Sequence, residues 1–141
     1  MSSPKVVYLD FDGVLHPASP GADGLFSRAH LLDPLFEKSN AAIVISSSWR
    51  FTHSLTALQA KLPSNLAKSI VDVTGAPFVD KYARYQEIML HAKKLDPGVQ
   101  WCALDDSYWE FPSNCKELIR TNPNTGISDK ELSLLSSWLL S

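Results

Sequence analysis

Basic charge is in short supply. The 13 lysines and arginines face 15 aspartates and glutamates, which leaves the 141-residue chain at a formal net charge of -2. That balance argues against a broadly basic coat for nucleic acid, while leaving room for a local basic patch beside an acidic metal site. Cysteine is scarcer still, with only Cys102 and Cys115. Neither stands in a CxxC or Cys/His pattern, so a zinc site finds no ligand set. Cys102 lies in an apolar run and reads as a small buried hydrophobe; nothing supports a disulfide between the two. No apolar run approaches the roughly 18 residues of a membrane span. The run that follows Met1–Lys5 is too short and too soon charged for a secretory leader. No membrane contact is expected, a reducing cytoplasm is the default compartment, and no protein partner is evident. Internal repeats and low-complexity tracts are missing as well.

What is present is an ordinary globular mixture, 45% hydrophobic and 20% charged, enough to build a core without a disulfide or structural metal. The length fits one domain over residues 1–141. Short, nearly continuous apolar runs at Lys5–Leu9, Ala41–Ile45 and Gln100–Leu104, with weaker ones at Ser69–Val73 and Glu117–Arg120, suit strands buried on both faces. Helical spacing fills the gaps at Leu31–Lys38, Thr52–Leu62 and Lys81–Leu95, the last with Tyr82, Tyr85, Ile88, Met89, Ala92 and Leu95 on one face. Asp80 is a candidate cap for that helix, and Pro97 and Gly98 stop it. Ser128 and Glu131 form a capping box ahead of a final helix. Strands alternating with helices predict an α/β three-layer sandwich with a mostly parallel central sheet. Leu15–His30, with Pro17, Pro20, Gly21 and Gly24, reads as a loop or small flap.

Ligands of such sheets bind beyond the carboxyl ends of the strands, and polar clusters follow the strands here. Asp10-Phe11-Asp12-Gly13 ends the first. Two carboxylates there repel and ask for a cation, magnesium being suited to carboxylates, carbonyls and waters, and Gly13 lets the backbone come close to a ligand. The plainer reading is a turn built on Asp12-Gly13. Ser46-Ser47-Ser48-Trp49-Arg50 follows the second strand. A hydroxyl there can hold a phosphoryl oxygen and Arg50 is a planar phosphate donor, although serine caps helices routinely. Lys81 and Arg84 open the best helix; with His91 and Lys94 they lie roughly opposite its apolar stripe, where a charged face is usually just solvated. Asp105-Asp106 closes the Gln100–Leu104 strand and again asks for a counter-charge.

Taken in order, DFDGV, a strand ending in serine, a cation on a later helix and a strand ending in DD resemble the haloacid dehalogenase (HAD) superfamily of phosphohydrolases. VYLDFDGVLHP, VISSSWR, RYQEI, WCALDDS and TNPNTGIS are more narrowly similar to the HAD domain of Swiss Army knife RNA repair proteins. The resemblance implies a hydrolase of phosphoric esters that uses Mg2+ and an aspartyl-phosphate intermediate. Asp10 would be the nucleophile and Asp12 the general acid/base, with the Asp12 carbonyl facing the metal. Asp105 and Asp106 would complete the metal site, Asp106 as the direct ligand. The hydroxyl is Ser46 or Ser47, and the cation is Arg84 or Lys81. The inter-strand gaps, Val14–Ala41 and Arg50–Lys81, hold no separate cap domain, so the site is open and suits a phosphate on a large substrate.

The expected substrate is a phosphorylated compound, first a nucleic-acid end and then a nucleotide or another phosphomonoester. Two other readings use the same fold: a phosphotransferase, and a silent phosphate- or metal-binding module, which the presence of both Asp10 and Asp12 disfavours. Trp49, Trp109, Phe111, Tyr82 and Tyr108 could stack on bases if exposed, although such aromatics are more often core.

Overall fold

The computed structural model of the protein describes residues 4–21 and 24–141. Five strands, β1 (Lys5–Leu9), β2 (Ala42–Ile45), β3 (Ile70–Val73), β4 (Gln100–Asp105) and β5 (Leu118–Arg120), form one sheet in the order β3-β2-β1-β4-β5. Every neighbouring pair is parallel. β1 is therefore central, and the chain steps outward to β3 before crossing back to β4 and β5. All five apolar runs are strands, and the sheet is wholly parallel rather than mostly so.

The helices are α1 (Ala29–Leu32), α2 (Leu55–Gln59), α3 (Ser64–Ser69), α4 (Ala83–Ala92) and α5 (Asp129–Leu140). None of the described helices is long and apolar enough to cross a membrane. Three differ from the sequence pattern for local reasons. The segment expected as one helix over Leu31–Lys38 is α1 followed by a 3-10 turn at Asp33–Phe36, because Pro34 has no N–H for the α-helical ladder. α2 is shorter than Thr52–Leu62; Ser54 caps it by accepting the Ala57 N–H at 3.1 Å, and Pro63 starts α3. Asp80 does not cap α4. It accepts from the adjacent Lys81 N–H, and the chain enters α4 through Tyr82, left-handed at φ +57°. At α5, Glu131 does accept the Ser128 N–H, at 3.1 Å.

Alternation along the strands sorts the core into two layers. Val7, Leu9, Ile43, Ile45, Cys102 and Leu104 pack with Leu58 of α2, Leu66 of α3 and Leu135 of α5. Val6, Tyr8, Val44 and Ala103 pack with Ile88 of α4. The same period places Asp10, Ser46, Asp105 and Arg120 on the α4 side. α4 in turn presents Arg84 to that edge.

The segment expected as a flap over Leu15–His30 consists of turns and bends up to α1; residues 22 and 23 lie outside the described residues. It is tied down from behind. Arg28 N–H donates to Leu15 O, Ala18 N–H to Pro123 O and Ile127 N–H to Val14 O. The NTGIS segment therefore braces the loop that follows Asp10. Gly126 sits at φ +81° with the Val14 carbonyl oxygen 2.9 Å from where a Cβ would be, so a side chain there would be strained and too close to backbone.

Candidate active site

The sheet's hydrogen-bond ladder runs one residue past the strands. Asp10 N–H donates to Leu104 O (3.1 Å), Ser46 N–H to Leu9 O (3.0 Å) and Thr74 N–H to Ile45 O (2.9 Å). Thr74, Ser46, Asp10 and Asp105 consequently stand in a row along one edge.

Asp10, Asp105 and Asp106 are all buried, and each offers a carboxylate oxygen within 4.8 Å of the others. The counter-charge comes from Arg84, whose Nη1 lies 2.6 Å from Asp105 Oδ2 and 3.3 Å from Asp10 Oδ1. Burial, with the charge of Asp105, raises the Asp10 carboxyl well above its usual range; Arg84 opposes this, Asp106 adds to it, and the Phe11 N–H opposes it. Asp106 is raised likewise, by burial and then by Asp105. Burial alone would weaken Arg84's hold on its proton, but Asp105, Asp10, Glu110 and Glu87 outweigh it and push its pKa up. Repelling carboxylates buried together this way are short of positive charge.

Gly13 makes the cluster sterically feasible. At φ +80° its missing Cβ would overlap the Asp106 carboxylate, and its carbonyl accepts the Thr121 hydroxyl at 2.6 Å. Asp12 stands apart from the three carboxylates, its side chain 47% exposed. His16 Nε2 donates to its Oδ1 at 2.8 Å, and Trp49 Nε1 reaches both oxygens at 3.2 Å.

The paired alternatives separate by their bonding. The Ser47 hydroxyl accepts the Trp49 N–H at 3.2 Å and is occupied as a cap. The buried Ser46 hydroxyl has no partner. Arg84 is in the cluster, whereas Lys81 is exposed and its Nζ lies over the Tyr82 ring. The solvated charged face expected on this helix holds for Lys81 and Lys94 but not for Arg84 or His91. His91 is bonded on one side to Tyr8 and on the other to Asp72, each at 2.8 Å.

Arg50, expected as a phosphate donor, has its donors engaged within the protein. Its side chain is 2% exposed. Nε bonds Thr74 O and Gly75 O, Nη1 bonds Ser46 O and Ser47 O, and Nη2 bonds Gly75 O and Glu87 Oε1. All five N–H groups of the guanidinium are used in joining the ends of β2 and β3 to α4. Gly13, expected near substrate, is the space into which Asp106 fits.

Three contributors escaped the sequence reading, and a fourth, Trp49, figured there only as a ring that could stack on bases. Thr74 has a second buried, unpartnered hydroxyl, and its signal was a hydroxyl directly after a strand, as for Ser46. Glu87 receives Arg50 and lies 3.9 Å from Arg84. His16 carried no signal beyond closeness to DFDG, and nothing in the sequence pointed to Trp49 as a hydrogen-bond donor to Asp12. Trp49 and Phe111 are packed in the core, while Tyr108 and Trp109 are exposed.

The family model described as the HAD domain in Swiss Army Knife RNA repair proteins matches residues 6–132. No curated protein matches the chain, and no solved structure does.

Proposed function

The chain belongs to the family of HAD domains of Swiss Army Knife RNA repair proteins, and from that membership we propose that it is a magnesium-dependent phosphomonoester hydrolase with Asp10 as its nucleophile. The family supports a phosphohydrolase-type function. The observation that carries the finer reading is the buried Asp10–Asp105–Asp106 cluster facing Arg84 and the unpartnered Ser46 hydroxyl.

The donor set fits magnesium. It consists of hard oxygen ligands, and three ionised carboxylates against Arg84 leave two negative charges, those that one divalent cation neutralises. Asp10 and Asp106, with the main-chain carbonyl of Asp12, would hold the ion. Both Asp105 oxygens are already engaged, Oδ2 by Arg84 and Oδ1 by the Ser107 N–H, which favours Asp106 as the direct ligand. When bound, the ion supplies positive charge that keeps Asp10 ionised and lowers the repulsion between it and a phosphoryl group.

The residues then divide the work. A carboxylate oxygen of Asp10 attacks phosphorus, and the ester oxygen leaves with a proton from Asp12. Ser46 Oγ donates to a phosphoryl oxygen, and Arg84 offsets the charge of another. In the second displacement Asp12 takes a proton from water as that water attacks the phosphorus, which frees Asp10 and releases phosphate. The exposure of Asp12 suits a group that must meet both leaving oxygen and water. A nucleic-acid end is the first candidate substrate, because no second sheet or domain covers the strand ends among the described residues.

The test is a phosphatase screen of the purified chain in magnesium, in chelator, and in chelator followed by excess magnesium. Substrates are 3′- and 5′-phosphorylated oligonucleotides, mononucleotides and sugar phosphates. Turnover lost in chelator and restored by magnesium supports the proposal. Full turnover in chelator refutes its metal dependence, and phosphate binding without turnover of any substrate makes the chain a silent module.

A further inference from the structure

A cleft of about 480 Å³ has Tyr82, Tyr108, Trp109 and Arg120 among its walls. Those wall residues are neighbours of site residues in the chain or across the sheet. The Tyr108 N–H donates to the Asp106 carbonyl at 3.0 Å. Tyr82 immediately precedes α4, two residues before Arg84. Arg120 pairs in register with Asp105, and side chains of residues paired across a sheet project to the same face. The cleft and the carboxylate cluster therefore share the α4 side of the sheet edge.

The lining is unusual for this molecule. Trp49, Trp101 and Trp138 pack against the core, but Trp109 is 61% and Tyr108 49% exposed. The Arg120 guanidinium covers one face of Tyr108, 3.6 Å from its centroid. The Tyr108 and Trp109 rings meet edge to face at 5.4 Å. Lys81, outside the lining itself, holds its Nζ over the Tyr82 ring. Single exposed aromatics need no explanation. Three aromatics and a guanidinium gathered at one cleft, on the same sheet edge as a candidate phosphoryl site, match a ligand that is flat, π-rich and joined to phosphate. The volume lies within the roughly 300–1,000 Å³ of small-ligand sites.

We infer that this cleft is a nucleobase-stacking subsite, which seats the base adjacent to the scissile phosphate. The inference rests on the hydrolase reading only for the position of the phosphate. The substrate class it names is a base-bearing phosphate, either a free nucleotide or a nucleic-acid end, rather than a bare sugar phosphate.

The experiment compares kcat/KM of the wild type, Trp109→Ala, Trp109→Phe and Tyr108→Ala on a phosphorylated oligoribonucleotide, a mononucleotide and ribose 5-phosphate. Removing a stacking aromatic costs about 5- to 150-fold per base. The oligonucleotide-to-ribose-5-phosphate ratio should therefore fall by about fivefold or more in Trp109→Ala and Tyr108→Ala, and Trp109→Phe should recover most of it. A loss shared by the mononucleotide places the terminal base in the cleft; a loss confined to the oligonucleotide places the next base there. Equal losses on all three substrates, or none, overturn the inference. Binding is read separately, as anisotropy of a labelled phosphorylated oligoribonucleotide with Asp10→Asn and with Asp10→Asn/Trp109→Ala. Equal affinities there also overturn it. If the wild type hydrolyses no phosphate ester, the hydrolase reading fails while this binding arm still decides the subsite.

Discussion

His16 donates from Nε2 to Oδ1 of Asp12 across 2.8 Å, and its ring is oriented for this by the Phe26 N–H, which is given to Nδ1 at 3.1 Å. With Nδ1 accepting, the ring proton belongs on Nε2, so the contact to Asp12 is a donated hydrogen bond. The candidate acid/base is thereby coupled to the loop after β1, because Phe26 belongs to that loop and reaches its bond from a left-handed φ of +59°. Trp49, in contact distance of Phe11, Phe26 and His16, supplies the second donor.

This relationship predicts a leaving-group effect. His16→Leu removes a hydrogen bond to a charged group and should lower turnover of an alkyl phosphate by about tenfold or more. An aryl phosphate, which needs little protonation on departure, should lose much less. His16→Gln keeps a donor near Nε2 and should recover part of the alkyl activity. Trp49→Phe, which keeps a ring and loses the N–H, should show the same bias more weakly. Equal losses on both substrates would reduce His16 to a packing residue.

Gly13→Ala should be harmful for two reasons. An alanine at φ +80° costs roughly 1–2 kcal/mol in the backbone, and its Cβ meets the Asp106 carboxylate. Urea unfolding should show a loss of about 1–2 kcal/mol or more, and calorimetric titration should show weaker magnesium binding. Unchanged magnesium affinity would mean that Asp106 is not a ligand.

Arg50 is assigned to architecture. Arg50→Ala strands the buried Glu87 and four carbonyl oxygens, and breaking a buried pair from one side typically costs about 3–5 kcal/mol. Arg50→Lys should recover little, since one ammonium cannot reproduce the fork. Both are read by chemical denaturation. A variant with wild-type stability and a raised KM would return Arg50 to the phosphate.

Acid stability should depend on Asp72. Burial alone would raise its carboxyl, but the His91 hydrogen bond, the Val73 N–H and nearby positive charge bring it below its ordinary 3.8. The folded state thus holds the Asp72 proton less tightly than the unfolded one. The resulting stability is fully present above the ordinary value and is lost as pH falls from there through the lowered one. Asp72→Asn should be less stable than wild type at neutral pH, with the difference closing below about pH 4. A difference that stays constant from pH 7 to pH 2 would contradict the assignment. Because the side chain is 58% exposed, the effect should be small.

Much of the sheet was legible because each strand is a short apolar run whose end is marked by a polar residue. Asp10, Ser46 and Asp105 were visible as those ends. Helix lengths were less legible, since Pro34 and Pro63 each divide a stretch whose spacing alone reads as continuous. Ser46 and Ser47 could not be separated in sequence, because the choice depends on strand phase and on which hydroxyl the Trp49 N–H claims. The same holds for Arg84 and Lys81, one turn apart at the entry to α4, where the left-handed Tyr82 sets the helix's starting point. The partners of Arg50 were not legible because its donor chemistry suits phosphate and carbonyls equally, and packing is what brings it to carbonyls and Glu87. The partnership of Asp12 with His16 and Trp49 joins residues 4 and 37 positions away, and no periodicity announces it.

The central claim is that Asp10 becomes phosphorylated during turnover. The direct measurement is acid-quenched, reductively trapped peptide mapping of wild type and Asp10→Asn, each turning over a phosphate ester in magnesium. A trapped aspartyl-phosphate adduct on Asp10 in the wild type, with both adduct and turnover missing from Asp10→Asn, is the predicted result. An adduct on Asp12 or any other residue, or near-wild-type turnover by Asp10→Asn, would contradict it.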